Sequence, residues 1–177
     1  VYKRQEQGIA YLTEDRKSQG LFLDMGISDN LIAPILRQFV GKIGFLNFGK
    51  VEDHAEVQIE EYGISTPSAD QKMLNLSGGN QQKSMVAMWM GIQPQVVIFD
   101  EPTRGVDVGA RFDIYQKLRE LTAEGVGILV ISSELPELIG LCDRILVMHQ
   151  GCITGEVAKK EFSEELIMTY AAGINNQ

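Results

Sequence analysis

The chain has 177 residues, of which 44% are hydrophobic and 23% are charged, a composition sufficient to bury one core. Its 16 basic and 24 acidic residues give a net charge of -8, which argues against the cationic surface of a nucleic-acid binder. No apolar run approaches the roughly 20 residues of a membrane span, and VYKRQEQG lacks the apolar stretch of a signal peptide. We therefore expect a soluble single domain without a nucleic-acid partner.

The first predicted element is a strand from Gly8 to Thr13 (GIAYLT), so near the first residue that no earlier strand precedes it for pairing. We interpret this as a chain that begins in the middle of a fold. From Gly20 to about Gln93 the pattern becomes helical and rich in methionine, which predicts a helical subdomain. Turns are expected at Gly41, Gly44 and Gly49.

A helix is predicted to begin after Ser77, whose hydroxyl can cap it, and to end before Pro94. Its apolar face carries Met85, Val86, Met88, Trp89 and Ile92. The next run, VVIF from Val96 to Phe99, has no polar alternation, which predicts a central strand covered on both faces. This strand leads into Asp100 and Glu101, and ligands bind at the carboxyl ends of strands in open α/β sheets.

The rest of the chain predicts alternating helices and strands. Asp107 can cap a helix that ends at Gly125, GILVIS is the next strand, and Ser133 can cap the helix ELPELIGLC. The apolar face of the first of these helices carries Ile114, Leu118 and Leu121. RILVMH and CITGEV are expected to form a hairpin around Gln150-Gly151, followed by an amphipathic helix from about Ser163 to Ala172.

Two segments carry residue types suited to nucleotide chemistry. A carboxylate fixed at a strand end, such as Asp100, can hold Mg²⁺, and a second one beside it, Glu101, can polarise an attacking water. In SGGNQQ, Gly78 and Gly79 leave N–H groups at a helix N-terminus open, so an anion can bind there and at the Ser77 hydroxyl. Each segment alone has an ordinary alternative, a solvent-facing acid or a glycine-rich turn before a helix.

The segments also form an ordered set, LSGGNQQK at 76–83, VVIFDEPTRGVD at 96–107 and ILVISSELPEL at 128–138. In this order the chain resembles the ATP-binding-cassette family at its signature motif, Walker B strand, D-loop and switch region. EDRKSQGL and PTRGVDVGAR resemble most closely the second nucleotide-binding domain of double-cassette ATPases serving pentose, galactose-type and related sugar importers. The resemblance covers essentially the whole chain.

This resemblance implies an α/β fold, a partial P-loop NTPase core with a parallel sheet and an inserted helical subdomain, which lacks the Walker A strand, loop and helix. Residues 1–177 would form one partial cassette. Its parts would be the end of a core strand with the Q-loop region (1–19), the helical subdomain with the signature motif (20–93), the core with the Walker B, D-loop and switch regions (94–158), and a C-terminal helix (159–177).

In this family two cassettes enclose two ATP molecules, each held by the Walker motifs of one cassette and the signature of the other. The residues that would grip the γ-phosphate of the partner's ATP are Ser77, Gly78, Gly79 and Asn80. In the chain's own site Asp100 would hold Mg²⁺ and Glu101 would polarise the water, while Asp107 would bridge the cassettes.

The resemblance further implies a peripheral protein on the cytoplasmic side of the cell membrane, in which ATP hydrolysis drives carbohydrate import. Its partners would be a second cassette, transmembrane permease subunits and, indirectly, a periplasmic or extracellular sugar-binding protein. Leu21, Phe22, Leu23 and Met25 would belong to the surface that docks on the transmembrane partner.

The chain departs from the family in three ways. It contains no GxxxxGKS/T segment, so we expect a piece of a longer protein that is inactive alone. Ser133 replaces a histidine that in many members contacts the γ-phosphate, which predicts that this cassette's own site is the weaker one. Glu14 replaces the usual Q-loop glutamine; it retains an oxygen for the metal but not the hydrogen-bond donor.

Two other functions remain open, a non-transport ATPase of the same family and a standalone module that offers its signature motif to a separate cassette. Cys142 and Cys152 have neither metal-ligand nor disulfide spacing, which fits a reducing cytoplasm. His54 and His149 are expected to be structural or solvated. Arg16, Lys17 and Arg104 are expected either to be solvated or to meet phosphate or a partner cassette.

Overall fold

The computed structural model describes residues 2–174, which fall into two compact units with the boundary between Ile131 and Ser132. The single-domain organisation and its inner boundaries remain predictions. Within residues 2–174 no helix is both long enough and apolar enough to cross a membrane.

The described part of the first unit contains five α-helices and three strands. Its helices are α1 (Tyr2–Glu6), α2 (Ile27–Ile32), α3 (Phe48–Glu61), α4 (Gly78–Met90) and α5 (Val108–Ala123). Its strands are β1 (Ile9–Leu12), β2 (Val96–Asp100) and β3 (Gly127–Ile131). Shorter helical turns are a π-turn at Arg16–Gly20 and 3₁₀ turns at Ala33–Phe39 and Met73–Asn75.

The three strands form a parallel sheet in the order β1-β2-β3, in which Ile9 pairs with Val96, and Asp100 with Ile131. The strand prediction at 8–13 and the central position of VVIF are therefore confirmed. A parallel sheet requires crossover connections, and here residues 13–95 form the first and α5 the second.

The prediction that VVIF is covered on both faces is wrong for this chain. Val97 and Phe99 are fully buried, but Val96, which points to the other face, is 39% exposed. Leu129 and Ile131 lie on the same open face and are 50% and 47% exposed. An unbroken apolar run predicts burial on both sides, but the described residues cover only one side of the sheet.

The helical segment between β1 and β2 has its own core, formed by Ile32, Ile35, Phe39 and Val51 with Leu46 and Ile92 against them. The predicted turn at Gly41 and Gly44 is confirmed, since Gly44 has φ +84° and its N–H donates to the Gly41 carbonyl. The turn predicted at Gly49 is wrong. Asn47 accepts a hydrogen bond from the Lys50 N–H and so starts α3 early, which places Gly49 in its first turn.

Both helix starts that flank β2 are confirmed. Ser77 caps α4 by accepting from the Asn80 N–H at 3.3 Å, and Asp107 caps α5 by accepting from the Ala110 N–H at 3.0 Å. The predicted apolar faces are also buried, at Met85, Val86 and Met88 in α4 and at Ile114, Leu118 and Leu121 in α5.

The second unit contains α6 (Leu135–Leu141), β4 (Arg144–His149), β5 (Cys152–Ala158), a 3₁₀ turn (Lys159–Glu161) and α7 (Glu164–Ala171). The predicted hairpin is confirmed, since β4 and β5 are antiparallel and Gln150 and Gly151 have φ values of +47° and +80°. The core of the second unit contains the buried residues Ile145, Val147, Val157 and Ile167. Ser163 caps α7 as predicted, by accepting from the Leu166 N–H.

The cap predicted for α6 is wrong, because the residue before the helix is Glu134 and not Ser133. Ser132 Oγ accepts from the Glu134 N–H at 3.0 Å, so the serine next to Ser133 orders this entry. The helix begins at Leu135, which places Pro136 in the first turn, where a missing N–H costs least.

Candidate functional site

The carboxyl end of β2 carries Asp100 in a polar contact between strands. The Tyr11 hydroxyl of β1 donates to Asp100 Oδ2 at 2.7 Å. This hydrogen bond is the main cause of a raised Tyr11 pKa, since ionisation would remove the donated proton. Asp100 is therefore oriented by a neighbouring strand and remains partly exposed at the sheet end.

Glu101 follows in a left-handed backbone conformation, with φ +49°. Its N–H donates to the Ile131 carbonyl at 2.8 Å, which ties the turn to the end of β3. Such a conformation costs a non-glycine residue about 1 kcal/mol or more and is often found at functional sites. The chain thus turns away from the sheet at Glu101, directly after Asp100 at the end of β2.

The segment SGGN forms the start of α4. Ser77 Oγ accepts from the Asn80 N–H and also from Asn80 Nδ2 at 3.2 Å. Asn80 Oδ1 in turn accepts from the Ser65 N–H at 2.9 Å, so the same side chain links the helix start to the preceding loop. Both contacts fix the position of the Ser77 hydroxyl.

Gly78 and Gly79 are packed closely against the segment that follows β2. A Cβ on Gly78 would lie 2.7 Å from the Gly105 carbonyl oxygen, and one on Gly79 would lie 2.6 Å from Ala110 Cβ. The sequence assigned these glycines only to anion access. The structure adds that α4 and the start of α5 approach each other at a distance that excludes side chains here.

Residues 101–107, here termed the D-loop segment, are held by a residue whose role the sequence left open. Arg16 Nη1 donates to the Arg104 carbonyl at 2.7 Å, and Arg16 Nη2 donates to the Gly105 carbonyl at 3.2 Å. Gly105 has φ +67°, so the turn that aims both carbonyls at one guanidinium suits a glycine. At the end of the segment, the Ala110 N–H lowers the pKa of Asp107 by hydrogen bonding.

The carboxylate of Glu14 forms an ion pair with the Arg104 side chain. Residues 14–16 therefore contact the D-loop segment twice, through the Arg104 side chain and through backbone carbonyls. The two predicted metal ligands, Glu14 and Asp100, have separate partners, Arg104 and Tyr11. Across the described residues no group of three or more His, Cys, Asp or Glu side chains could hold a metal ion.

Ser133 belongs to the second unit, whereas the other predicted site residues belong to the first. The first unit brings Ser77, Gly78 and Gly79 close to the D-loop segment and anchors that segment to the sheet end. The roles assigned to all these residues, including Ser133 and Glu14, remain predictions.

The segment GFLNFGKV at 44–51 resembles a phosphate-binding loop, but its structure is different. A valine, Val51, stands where Ser or Thr is required, and it is buried in the helical core. Asn47 already accepts from the Lys50 N–H, so it occupies a donor that would otherwise face a phosphate. We assign this segment no nucleotide role.

Comparison with known proteins decides the family. Residues 1–104 match the family model described as ABC transporter. The chain belongs to this family. The interpretation based on the order of the signature, Walker B and D-loop motifs is therefore confirmed.

The relatives of this chain include proteins that are named import ATP-binding proteins. The chain is 49% identical over 168 residues to a putative ribose/galactose/methyl galactoside import ATP-binding protein of Agrobacterium fabrum, covering 95% of this chain and 33% of that protein. It is 45% identical over 171 residues to a ribose import ATP-binding protein of Clostridium tetani, covering 97% and 34%. The chain thus spans about one third of the length of the curated relatives it matches.

Solved structures of ATP-binding cassettes have the same fold. A dimeric post-hydrolysis cassette bound to ADP and Pi matches with a TM-score of 0.74 at 20% identity, over 90% of this chain and 66% of that one. A cassette of an ABC transporter matches with a TM-score of 0.74 at 24% identity, over 95% and 70%. The predicted α/β fold, part of a P-loop NTPase, is confirmed.

Proposed function

We propose that this chain is part of the ATP-hydrolysing subunit of an importer for ribose, galactose or a related sugar. The observation that carries the proposal is the joint placement of the α4 start and the D-loop segment, next to the strand end that presents Asp100 and Glu101. The substrate class rests on the similarity to ribose and galactose import ATP-binding proteins over 95% of the chain.

The residue types at the β2 end fit a magnesium nucleotide. Asp100 offers carboxylate oxygens, the ligand type that Mg²⁺ prefers, and Tyr11 fixes its orientation from the next strand. Bound there, Mg²⁺ would neutralise charge that develops on the phosphates during transfer. Glu101, the next residue, would orient the attacking water and accept its proton.

The start of α4 fits the γ-phosphate of an ATP bound on a second cassette. Ser77 Oγ already accepts two N–H groups of Asn80, so its own proton is the group left for a phosphate oxygen. Gly78 and Gly79 add a helix N-terminus without side chains in the way. Asp107 would then contact the second cassette across the shared site.

The remaining partners follow from this proposal. Closure of the cassettes would drive a conformational change in the permease subunits. A sugar-binding protein outside the membrane would be coupled to the cassettes only through these subunits. The subunit would lie peripherally on the cytoplasmic side of the membrane. Because the chain has no GxxxxGKS/T segment, we propose that it hydrolyses ATP only as part of a longer protein.

Binding and hydrolysis of Mg²⁺-ATP should be compared between this chain and the full-length protein that contains it. We expect hydrolysis only in the longer protein, and a partial loss of it on Glu101→Gln, which removes the group that would activate water in this cassette's own site. Glu124→Gln, an exposed acid at the end of α5, is the matched control and should retain activity. Equal turnover by the short chain would refute the proposal.

The weaker-site hypothesis predicts a ranking of two variants. In the full-length protein, Ser77→Arg would block the signature that completes the partner site, while Glu101→Gln would disable only the site that contains Ser133. We expect Ser77→Arg to remove more ATPase activity. The reverse ranking, measured on assembled transporter, would show that the chain's own site is the stronger one.

A further inference from the structure

A short turn joins the 3₁₀ helix Ala33–Phe39 to α3. Val40 and Leu46 form an isolated antiparallel bridge, and the Gly41 N–H donates to the Phe45 carbonyl at 2.8 Å. The Asn47 N–H donates to the Phe39 carbonyl at 2.9 Å, which closes the base of the turn. We call residues 36–50 the tip.

The tip exposes large apolar side chains at its end. Ile43 is 82% exposed, Phe45 74% and Phe48 77%. Single exposed apolar residues are common on soluble proteins, but three of this size within six positions form a patch, and such patches mark interaction sites.

The base of the tip is fixed while its end is open. Phe39 is buried in the helical core, and Leu46 packs against that core. The centroids of the Phe39 and His54 rings are 5.2 Å apart. The exposed side chains therefore stand on a structured base. Within residues 36–50 only Phe39 is buried and Leu46 is half-buried, so these two side chains hold the turn in place while the others face solvent.

The charge of the tip is opposite to that of the chain. Arg37, Lys42 and Lys50 are all exposed, and no acidic residue occurs between Asp29 and Glu52. The whole chain, in contrast, has a net charge of -8. Cations that flank exposed aromatic and branched aliphatic side chains are the combination that favours the interface of an anionic bilayer.

We propose that the tip binds the surface of a lipid bilayer that contains anionic lipids, with Ile43, Phe45 and Phe48 inserted among the headgroups. The basic side chains would contact lipid phosphates while their alkyl stems follow the apolar residues. The positive charge of the tip is complementary to the negative surface of such a bilayer, and its exposed apolar side chains suit the boundary between headgroups and acyl chains. This inference does not rest on the ATPase proposal.

The test is co-sedimentation of the chain with vesicles of phosphatidylcholine, with and without phosphatidylglycerol. We expect binding only with phosphatidylglycerol, weakened by salt, and reduced at least about tenfold by the double change Ile43→Ser and Phe45→Ser. Lys42→Gln should weaken it by about fivefold. Phe112→Ser and Leu129→Ser, which remove exposed apolar residues elsewhere, are matched controls and should bind as before.

A second readout keeps the inference testable if the double variant fails to fold. Phe45→Trp in a Trp89→Phe background places one tryptophan in the tip. Its emission should shift to the blue on phosphatidylglycerol vesicles and be quenched by lipids brominated near the headgroup. An unshifted emission, or binding that is unaffected by the tip variants, would overturn the inference. Self-association in solution that the tip variants abolish would also overturn it, in favour of a protein partner.

Discussion

Arg16 connects two regions that are far apart in the sequence, the end of β1 and the D-loop segment. One guanidinium donates to two consecutive carbonyls, which a lysine ammonium cannot match because it lacks a planar fork of donors. The sequence left the role of Arg16 open between a solvated surface position and contact with phosphate or a partner cassette. Its contact lies 88 positions away, and no local pattern reports such a pairing.

Replacing Arg16 should loosen the D-loop segment. In Arg16→Lys we expect amide exchange of residues 104–107 to increase by about tenfold, the scale of losing roughly one net hydrogen bond. Hydrogen exchange read by mass spectrometry measures this. Lys17→Ala, which alters an exposed neighbour, is the control. Equal amide exchange in both variants would contradict the role of Arg16 in holding the D-loop segment.

The contact of Gly79 with Ala110 predicts a rescue. Gly79→Ala should destabilise the first unit by about 1–3 kcal/mol, because its Cβ would collide with Ala110 Cβ. Ala110→Gly in the same chain should restore part of this loss. Urea unfolding measures both, with Gly140→Ala as a control because nothing lies within 4 Å of its added Cβ. A double variant no more stable than Gly79→Ala would argue against this contact.

At the scale of elements, most helices and strands were predictable because their signals are local. Ser77, Asp107 and Ser163 each cap the helix that the sequence assigned to them. The errors arose where a neighbour changed the outcome, as when Asn47 moved the start of α3 ahead of Gly49. Ser133 likewise does not form the predicted cap of α6, since it is the neighbouring Ser132 whose hydroxyl accepts from the Glu134 N–H.

Burial of His54 beside Phe39 couples the helical segment to pH. Burial lowers the pKa of His54 below its ordinary value of 6.5. The unfolded chain therefore binds more protons than the folded one as pH falls through about 6.5, and the free energy of unfolding decreases there. The stabilisation is complete above that pH.

Urea midpoints at about pH 7.5 and pH 5.5 test this coupling, because the two values lie on either side of the unfolded histidine pKa. We expect the wild-type midpoint to fall on acidification and the fall to be smaller in His54→Gln. His149→Gln, which changes the other histidine, is measured alongside as the comparison variant. An unchanged dependence in His54→Gln would locate the effect elsewhere.

At the scale of the molecule, the sequence predicted the parallel sheet and the central strand that ends in Asp100 and Glu101, because an unbroken apolar run and the alternation of strands and helices are typical of such a sheet. It could not predict that one face of the sheet stays open, since an apolar strand looks the same whether or not a second layer covers it. Val96, Leu129 and Ile131 lie on that face.

The open face predicts binding of an apolar fluorescent dye by the folded chain. Leu129→Ser together with Ile131→Thr should reduce that binding by at least about half, since these are among its most exposed apolar residues. Dye fluorescence at matched protein concentration measures this, and the tip variant Ile43→Ser shows the share contributed by the other patch. Unchanged fluorescence in the double variant would mean that the face is covered in solution.

The long crossover that contains the helical segment also delays the pairing of β1 with β2 while the chain is being synthesised. β1 leaves the ribosome first, but its partner β2 follows only much later, since Tyr11 and Asp100 are 89 positions apart. At about 5–20 residues per second this is a wait of roughly 4–18 seconds. β2, α5 and β3 are close in sequence and can assemble as they emerge, whereas β1 has to wait for β2, and during that interval its unpaired backbone groups are open to pairing with other strands.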